Sequence, residues 1–388
     1  MATILSLHGK GLKLDSRQDI EPHLRDSDPA KLEEIHFGGN TIGVEASQAL
    51  AEFLQKATAL KVADFADIFT GRLISEIPQA LSAICDALID KTSLVEIDLS
   101  DNAFGGRSVD PMVPFLTQNR SFQILKLNNN GLGPAGGAII ADALRKSAEL
   151  SKKEGKVSNL RVVICGRNRL ENGSAPAWAD AFAAHGTLRE VRMPQNGIRM
   201  EGIKALASGL AKNVDLEHLD LQDNTFSEEG SQAFAEALPH WPSLHTLNFS
   251  DCVLSAEGEV PRTIEVLATG SNPLLRILQL QNNNLEGKTA AVLAEAIGTH
   301  LKQVNILEFQ WNEVEEDDEG IQTLLDNLKS RGGKFLLDDE DEEEDEDEAE
   351  AEDEGEDEVK PEKPEAEKSD TDKAADALAD LLDKVTIN

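Results

Sequence analysis

The hydrophobic positions of this chain recur in one fixed order. Apolar residues stand at the first, fourth and sixth places of a short segment, an Asn stands ninth and another apolar residue eleventh, giving L-x-x-L-x-L-x-x-N-x-L with Ile, Val, Phe, Met or Cys tolerated at apolar places. Leu32-Glu-Glu-Ile-His-Phe-Gly-Gly-Asn40 fits, and so do segments whose ninth place is Asn102, Asn130, Asn168, Asn196, Asn224, Asn283 and Asn312. Two variants carry Ile68 and Cys252 there. The ten ninth places are separated by 28, 34, 28, 38, 28, 28, 28, 31 and 29 residues. Chance supplies one or two such matches, not ten in register. The L-x-L alternation has the period of a half-buried strand. The residues that follow, such as 44–54 and 202–210, place apolar groups at helical spacing. Each unit therefore reads as a short strand followed by an amphipathic helix.

A modal period of 28 falls in the range of leucine-rich repeats. The expected fold is an α/β solenoid, a curved horseshoe with parallel strands inside and helices outside. One unit cannot bury its own apolar face, so stability comes from the interfaces between neighbours. The ninth-place Asn has a structural task, because its amide can bond backbone groups of its own turn and of the next repeat that would otherwise be buried unpaired. Cys252 can do this weakly. Cys165 falls at an inward apolar place and reads as a core thiol. A single core near this length would normally be split into domains, but a solenoid extends one core by stacking. The repeat domain is assigned to residues 1–337, about ten repeats plus terminal caps.

Composition agrees with a buried core and then divides the chain. Hydrophobic residues are 40% and the formal charge is −35. Of residues 338–358, 18 of 21 are acidic and none is basic. Residues 359–388 add a net −3, leaving −14 on residues 1–337. The acidic run has almost nothing to bury and repels itself, so it is expected to be disordered. A Pro/Lys/Glu linker and a possible short amphipathic helix at 374–384 follow. A chain this acidic repels polyanions, which argues against nucleic acid as a partner. No apolar run approaches the roughly 20 residues of a membrane span. The start lacks the basic and apolar regions of a secretory leader. Three Cys cannot form a disulfide framework, which points to a reduced, cytoplasmic setting. The Asn-x-Ser/Thr sites at Asn119, Asn172 and Asn248 are then inert.

The positions the repeat leaves free carry the functional information. The residue before each ninth place lies where strand passes into loop, at the lip of the solenoid: Gly39, Asp67, Asp101, Asn129, Arg167, Gln195, Asp223, Asp251, Asn282, Trp311. Three residues earlier, the strands place His36, Asp64, Asp98, Lys126, Ile164, Arg192, Asp220, Asn248, Gln279 and Glu308 on the inner face. Both rows are acidic early and late, with a neutral-to-basic middle that also includes Arg169, Arg189 and Arg199. Such a rim suits a protein partner of mixed charge. Catalytic constellations are missing: there is no P-loop, no zinc spacing, and no EF-hand loop in the acidic run. Cys85 falls in an apolar helix, a poor place for a nucleophile.

Three segments go beyond the generic repeat. Phe65-Ala-Asp-Ile-Phe-Thr-Gly-Arg-Leu73, with Glu76-Ile-Pro78, breaks the second consensus; Leu127-Asn-Asn-Asn-Gly-Leu-Gly-Pro134 and Cys165-Gly-Arg-Asn-Arg-Leu-Glu-Asn-Gly173 follow the fourth and fifth. Together with Leu99-Ser-Asp-Asn-Ala-Phe-Gly105 and the acidic run, they resemble the Ran GTPase-activating proteins, and the chain looks like their short fungal form. The resemblance covers residues 1 to about 358. It implies an activator of GTP hydrolysis by Ran, not an enzyme itself, acting in the cytoplasm, near the nuclear envelope at most, in nucleocytoplasmic transport. It implies GTP-loaded Ran as partner, alone or with a Ran-binding protein, a monomer, no nucleic acid or membrane, and no cofactor beyond the GTP and Mg that the partner carries.

On residue type alone, Arg72 is the candidate charge donor to a phosphate. The resemblance implies instead a mechanism without an arginine finger, in which Asn129 orients the partner's catalytic glutamine. Asn129 is also the Asn of its run left free of the repeat's structural duty, which falls to Asn130. Arg72 then anchors Ran or supports its loop, Arg167 matches a lip arginine of the family, and Asp223 is a further contact candidate. Structural alternatives stand beside these: Asn129 as a polar turn residue, Arg72 bridged to Asp64, Asp67 or Glu76, and Arg167 paired with Glu171 or Glu190. Ile74 stands where family members often carry a basic residue. Two other functions remain open: a non-catalytic scaffold holding a basic protein on the concave face, and an enzyme in its own right.

Overall fold

The computed structural model describes residues 3–338. Twelve strands form one parallel sheet in chain order: Ile4–Ser6, Glu34–His36, Val62–Asp64, Glu96–Asp98, Ile124–Lys126, Val162–Ile164, Glu190–Arg192, His218–Asp220, Thr246–Asn248, Ile277–Gln279, Ile306–Glu308 and Lys334–Leu336. The chain folds as the α/β leucine-rich repeat solenoid expected. Nine of the twelve strands have a buried middle residue between half-exposed ones, as Ile97 between Glu96 and Asp98 illustrates; the first strand has exposed flanks, Asn248 is buried at the end of its strand, and the last strand has a half-buried middle, Phe335. Helices pack side by side on the buried face. Packed helices need roughly 8–10 Å of spacing and strands only about 4.8 Å, so stacking bends the array with its strands inside. Fully burying one Leu, Ile or Val in this layer contributes about 1.5–3 kcal/mol, and the sequence repeats that contribution in every unit.

The register joins the last residues of successive strands into one row, from His36 against Asp64 through Asp98, Lys126, Ile164, Arg192, Asp220, Asn248 and Gln279 to Glu308. The inner-face row read from the sequence is thus a physical row. The ninth-place Asn residues form the expected ladder. Asn130 is fully buried, donates to the carbonyls of Leu99 (3.0 Å) and Leu127 (3.1 Å), and accepts from the Asn102 N–H at 2.9 Å. Asn168 accepts in turn from the Asn130 N–H at 2.9 Å. Cys252 keeps the pattern with its thiol on the carbonyls of Leu221 and Ser250 at 3.4 and 3.3 Å.

Irregular steps have local causes. The 38-residue step holds a 21-residue helix, Gly133–Lys153. The 34-residue step holds the long loop that leads from Val62–Asp64 to the helix Ile77–Leu88. The first and last strands escaped the consensus. Ser6 pairs with His36, which puts Lys10 opposite Asn40 and leaves no Asn to read. Among the described residues no helix is long and apolar enough to cross a membrane. Apart from Asp338, the acidic run, its linker and the segment 374–384 lie outside the described residues.

Candidate functional site

The lip row has one backbone conformation. Gly39, Asp67, Asp101, Asn129, Arg167, Gln195, Asp223, Asp251, Asn282 and Trp311 all have φ between 46° and 75°. In this left-handed region Gly is free, Asn and Asp are tolerated, and other side chains are strained. Geometry therefore explains the Gly, Asp and Asn of the row, and it does not explain Arg167, Gln195 or Trp311. The turn also locks the lip residues from Gly39 to Asn282 to the next repeat. The N–H of Asn129 donates to Gly166 O at 2.9 Å, that of Arg167 to Pro194 O at 2.9 Å, and that of Asp223 to Ser250 O at 3.0 Å. Side chains at these places stand on a fixed edge.

Asn129 is exposed, and its Nδ2 donates to Asp101 Oδ1 at 3.0 Å. The carboxylate can only accept, so the amide must turn its NH2 group toward Asp101. Its Oδ1 has no hydrogen-bond partner among the described residues. The neighbouring Asn128 is tied down, accepting from the Gly166 N–H at 2.7 Å. Of the three consecutive Asn residues, one serves the ladder, one braces the next turn, and one presents a carbonyl to solvent.

Arg72 takes a different place from the one expected. Its side chain is 7% exposed and turns away from the rim. Nε donates to Thr41 Oγ1 at 2.7 Å, Nη2 to the carbonyls of Thr41 (2.9 Å) and Leu14 (3.3 Å), and Nη1 pairs with Asp15. The anticipated bridge to Asp64, Asp67 or Glu76 is replaced by this one. Those three acids are used locally: Asp64 with His36 at 3.2 Å, Asp67 with the Thr70 hydroxyl, and Glu76 with the Leu73 N–H at 3.0 Å. The Arg72 guanidinium holds the carboxyl of Asp15 below its usual range. The loop is thereby stapled to the N-terminal repeats, with Leu73 and Ile74 exposed beside the staple.

Arg167 is exposed and pairs with neither Glu171 nor Glu190; Glu190 is taken by Arg192 at 2.6 Å. Arg169 and Arg199 are likewise exposed and make no ion pair among the described residues, whereas Arg189 meets Glu217 at 3.6 Å and Lys126 pairs with Glu96. The basic middle of the rim therefore keeps its free charge at Arg167, Arg169 and Arg199. Asp223 is exposed with no side-chain partner among the described residues. Beside Asn129 and Asp101, a hollow of about 390 Å³ opens on the strand face, lined by Asp98, Asp101, Lys126, Asn128, Arg192 and Asp220 among others. Burial raises the pKa of Asp98 and of Asp220. Burial opposes the charge of Lys126, but Glu96 and its acidic neighbours outweigh it and raise that pKa. His218 is pushed down to about 4 by burial and by Arg192. Asn129, Arg167 and Asp223 thus share one edge, and Arg72 lies behind it as a brace. Sequence reasoning missed Asp101 as the group that orients Asn129, although the acid stands at the equivalent place one repeat earlier. It also missed Asp15 and Thr41, which lie 57 and 31 residues from Arg72.

All three thiols are buried. Burial pushes Cys165 up to about 12 and raises Cys85 and Cys252 well above the usual thiol range. None is a thiolate at neutral pH.

Comparison with known proteins agrees with this fold. A family model described as Leucine Rich repeat matches residues 118–141 and 212–235. The chain is 48% identical over 198 residues to Ran GTPase-activating protein 1 of Xenopus laevis, covering 50% of this chain and 34% of that protein. It is 38% identical over 209 residues to Ran GTPase-activating protein 1 of Saccharomyces cerevisiae, covering 52% of this chain and 51% of that one. It is 43% identical over 202 residues to Ran GTPase-activating protein 2 of Caenorhabditis elegans, covering 51% and 21%. The aligned part thus spans between about a fifth and a half of these relatives.

Proposed function

We propose that this chain, a leucine-rich repeat relative of the Ran GTPase-activating proteins, binds Ran in its GTP form and accelerates GTP hydrolysis inside Ran's own active site. GTP hydrolysis needs a water held in line and compensation of charge on the phosphates. The observation that carries the reading is the amide of Asn129, fixed by Asp101 with its Oδ1 facing solvent. That oxygen can accept an N–H from the partner's glutamine. The glutamine carbonyl is then aimed at the attacking water. The protein supplies orientation, and the partner supplies GTP, Mg and the reacting groups.

The wiring of Arg72 favours a mechanism without an arginine finger from this loop. Freeing its guanidinium would break bonds to Asp15, Thr41 and Leu14. Its role in this reading is to hold the loop, with partner contact made by the exposed groups around it. Arg167, free of an internal acid, meets an acidic or phosphate-bearing part of the partner, and Asp223 a basic part. The chain acts as a monomer, in the cytoplasm and in support of nuclear transport, on Ran alone or with a Ran-binding protein.

Single-turnover hydrolysis by GTP-loaded Ran tests the reading. Wild-type chain should accelerate it, and Asn129→Gly should lose most of the acceleration while still binding. A scaffold would bind without acceleration, and a nucleotidase would consume GTP without Ran; either result overturns the proposal.

A further inference from the structure

We propose that the C-terminal end of the rim, where Trp311 stands beside Glu315, Glu316 and Asp317, receives a Lys or Arg side chain of the docked protein and sets how tightly that protein binds. This rests on the reading that the rim docks GTP-loaded Ran.

Trp311 has no structural reason to be where it is. It is 58% exposed, and it is the one aromatic among the exposed large hydrophobic residues of the described chain. Trp178 and Trp241, by contrast, are fully buried. Its φ of 59° belongs to a place that the other repeats fill with Gly, Asp or Asn, except for Arg167 and Gln195, and it is the one aromatic in that row. A bulky ring here is strained and wet at once, so the fold does not select it.

Its surroundings select a cation. A hollow of about 730 Å³ is lined by Trp311, Val314, Glu315, Glu316, Asp317 and Leu337, together with Asn312 and Asp338, and among the described residues no Lys or Arg lines it. The acids sit on an ordered turn. The Asp318 N–H donates to Glu315 O at 3.0 Å, Gln322 Nε2 donates to Glu316 O at 2.7 Å, and Asp318 caps the helix Glu319–Lys329 through the Gly320 N–H at 2.8 Å. The face of an indole attracts cations, and nearby carboxylates add to that attraction. An apolar side chain would strip water from the carboxylates without pairing them, and an anion would be repelled.

Distance decides what such a contact can do. The strand Ile306–Glu308 lies six strands along the sheet from Ile124–Lys126, roughly 29 Å at about 4.8 Å per strand. A group that far from Asn129 touches no reacting atom. It acts on affinity.

The test uses the full chain and GTP-loaded Ran, with kcat and KM measured separately and unfolding midpoints confirming that each variant folds. Trp311→Ser should raise KM about 5- to 30-fold with kcat within about twofold. Trp311→Phe should keep most of the affinity. The triple variant Glu315→Gln, Glu316→Gln, Asp317→Asn should also raise KM. Combining it with Trp311→Ser should raise KM by less than the product of the two effects, because both remove one contact. An unchanged KM, or a fall in kcat at constant KM, overturns the proposal. A lowered KM also overturns it, since it would mean that a segment of this chain fills the site. If wild-type chain gives no acceleration at all, the function reading has failed, a result distinct from any Trp311 effect.

Discussion

Asn129→Gly isolates the amide from everything else that Asn129 does. The residue has φ 52°, a conformation that Gly adopts without strain and Ala does not. Among the described residues its side chain makes one hydrogen bond, to the exposed Asp101. Removing it to Gly should leave the unfolding free energy within about 0.5 kcal/mol of the parent. The catalytic cost is set by one oriented hydrogen bond to the partner's glutamine, about 1.5–3 kcal/mol of transition-state stabilisation, or roughly 10- to 150-fold in rate. The assay is single-turnover GTP hydrolysis by Ran at saturating chain, with binding measured on a non-hydrolysable GTP analogue. Asn129→Ala should lose activation equally and lose about 1 kcal/mol more stability, from the strained φ. If Asn129→Gly were as active as the parent, the amide would have no part in the reaction. If Ala were much worse than Gly in rate, the loss would come from backbone strain.

The other predictions use the same fixed geometry. Asp101→Ala lets the Asn129 amide flip, and should cut activation several-fold with KM unchanged; a pure KM effect would make Asp101 a contact instead. Arg72→Gln and Asp15→Asn each break the staple, so both should weaken Ran binding, and the double variant should cost less than the two together; a large kcat loss from Arg72→Gln with none from Asp15→Asn would restore the arginine as charge donor. Asn130→Ala strips three buried hydrogen bonds from the ladder and should destabilise the fold by about 3 kcal/mol, read from denaturant unfolding. His185 is buried, with Nδ1 on Ser158 Oγ at 2.6 Å and a pKa pushed down to about 4 by burial. The unfolded chain therefore binds a proton between pH 6.5 and 4 that the folded chain refuses. The stability that His185 contributes is complete above about 6.5 and is lost as pH falls toward 4. His185→Gln should flatten the unfolding midpoint over that window, and an unchanged slope would refute the assignment.

Much of this was legible because repeats make long-range contacts periodic. The ninth-place Asn ladder, the inner-face row and the basic middle of the rim all follow from one register. The partners of Arg72 were not legible, because Asp15 and Thr41 belong to earlier repeats and meet it only across the stack. Asp64, Asp67 and Glu76 are nearer in sequence, but each is used locally. The first strand escaped notice because Lys10 takes the place of the marker Asn. The left-handed lip was half legible: Gly, Asp and Asn at one repeated place are its signature, and Trp311, Arg167 and Gln195 gain meaning only once the dihedral is known. The orientation of Asn129 needed the structure, since only the position of Asp101 tells which end of the amide faces out.

One measurement reaches the central claim most directly: GTP hydrolysis by an excess of GTP-loaded Ran, followed with and without a trace of this chain. The account predicts that each molecule of chain drives many Ran molecules through hydrolysis while hydrolysing no GTP when Ran is left out. Turnover by Ran that proceeds at its intrinsic rate whatever amount of chain is added would contradict it.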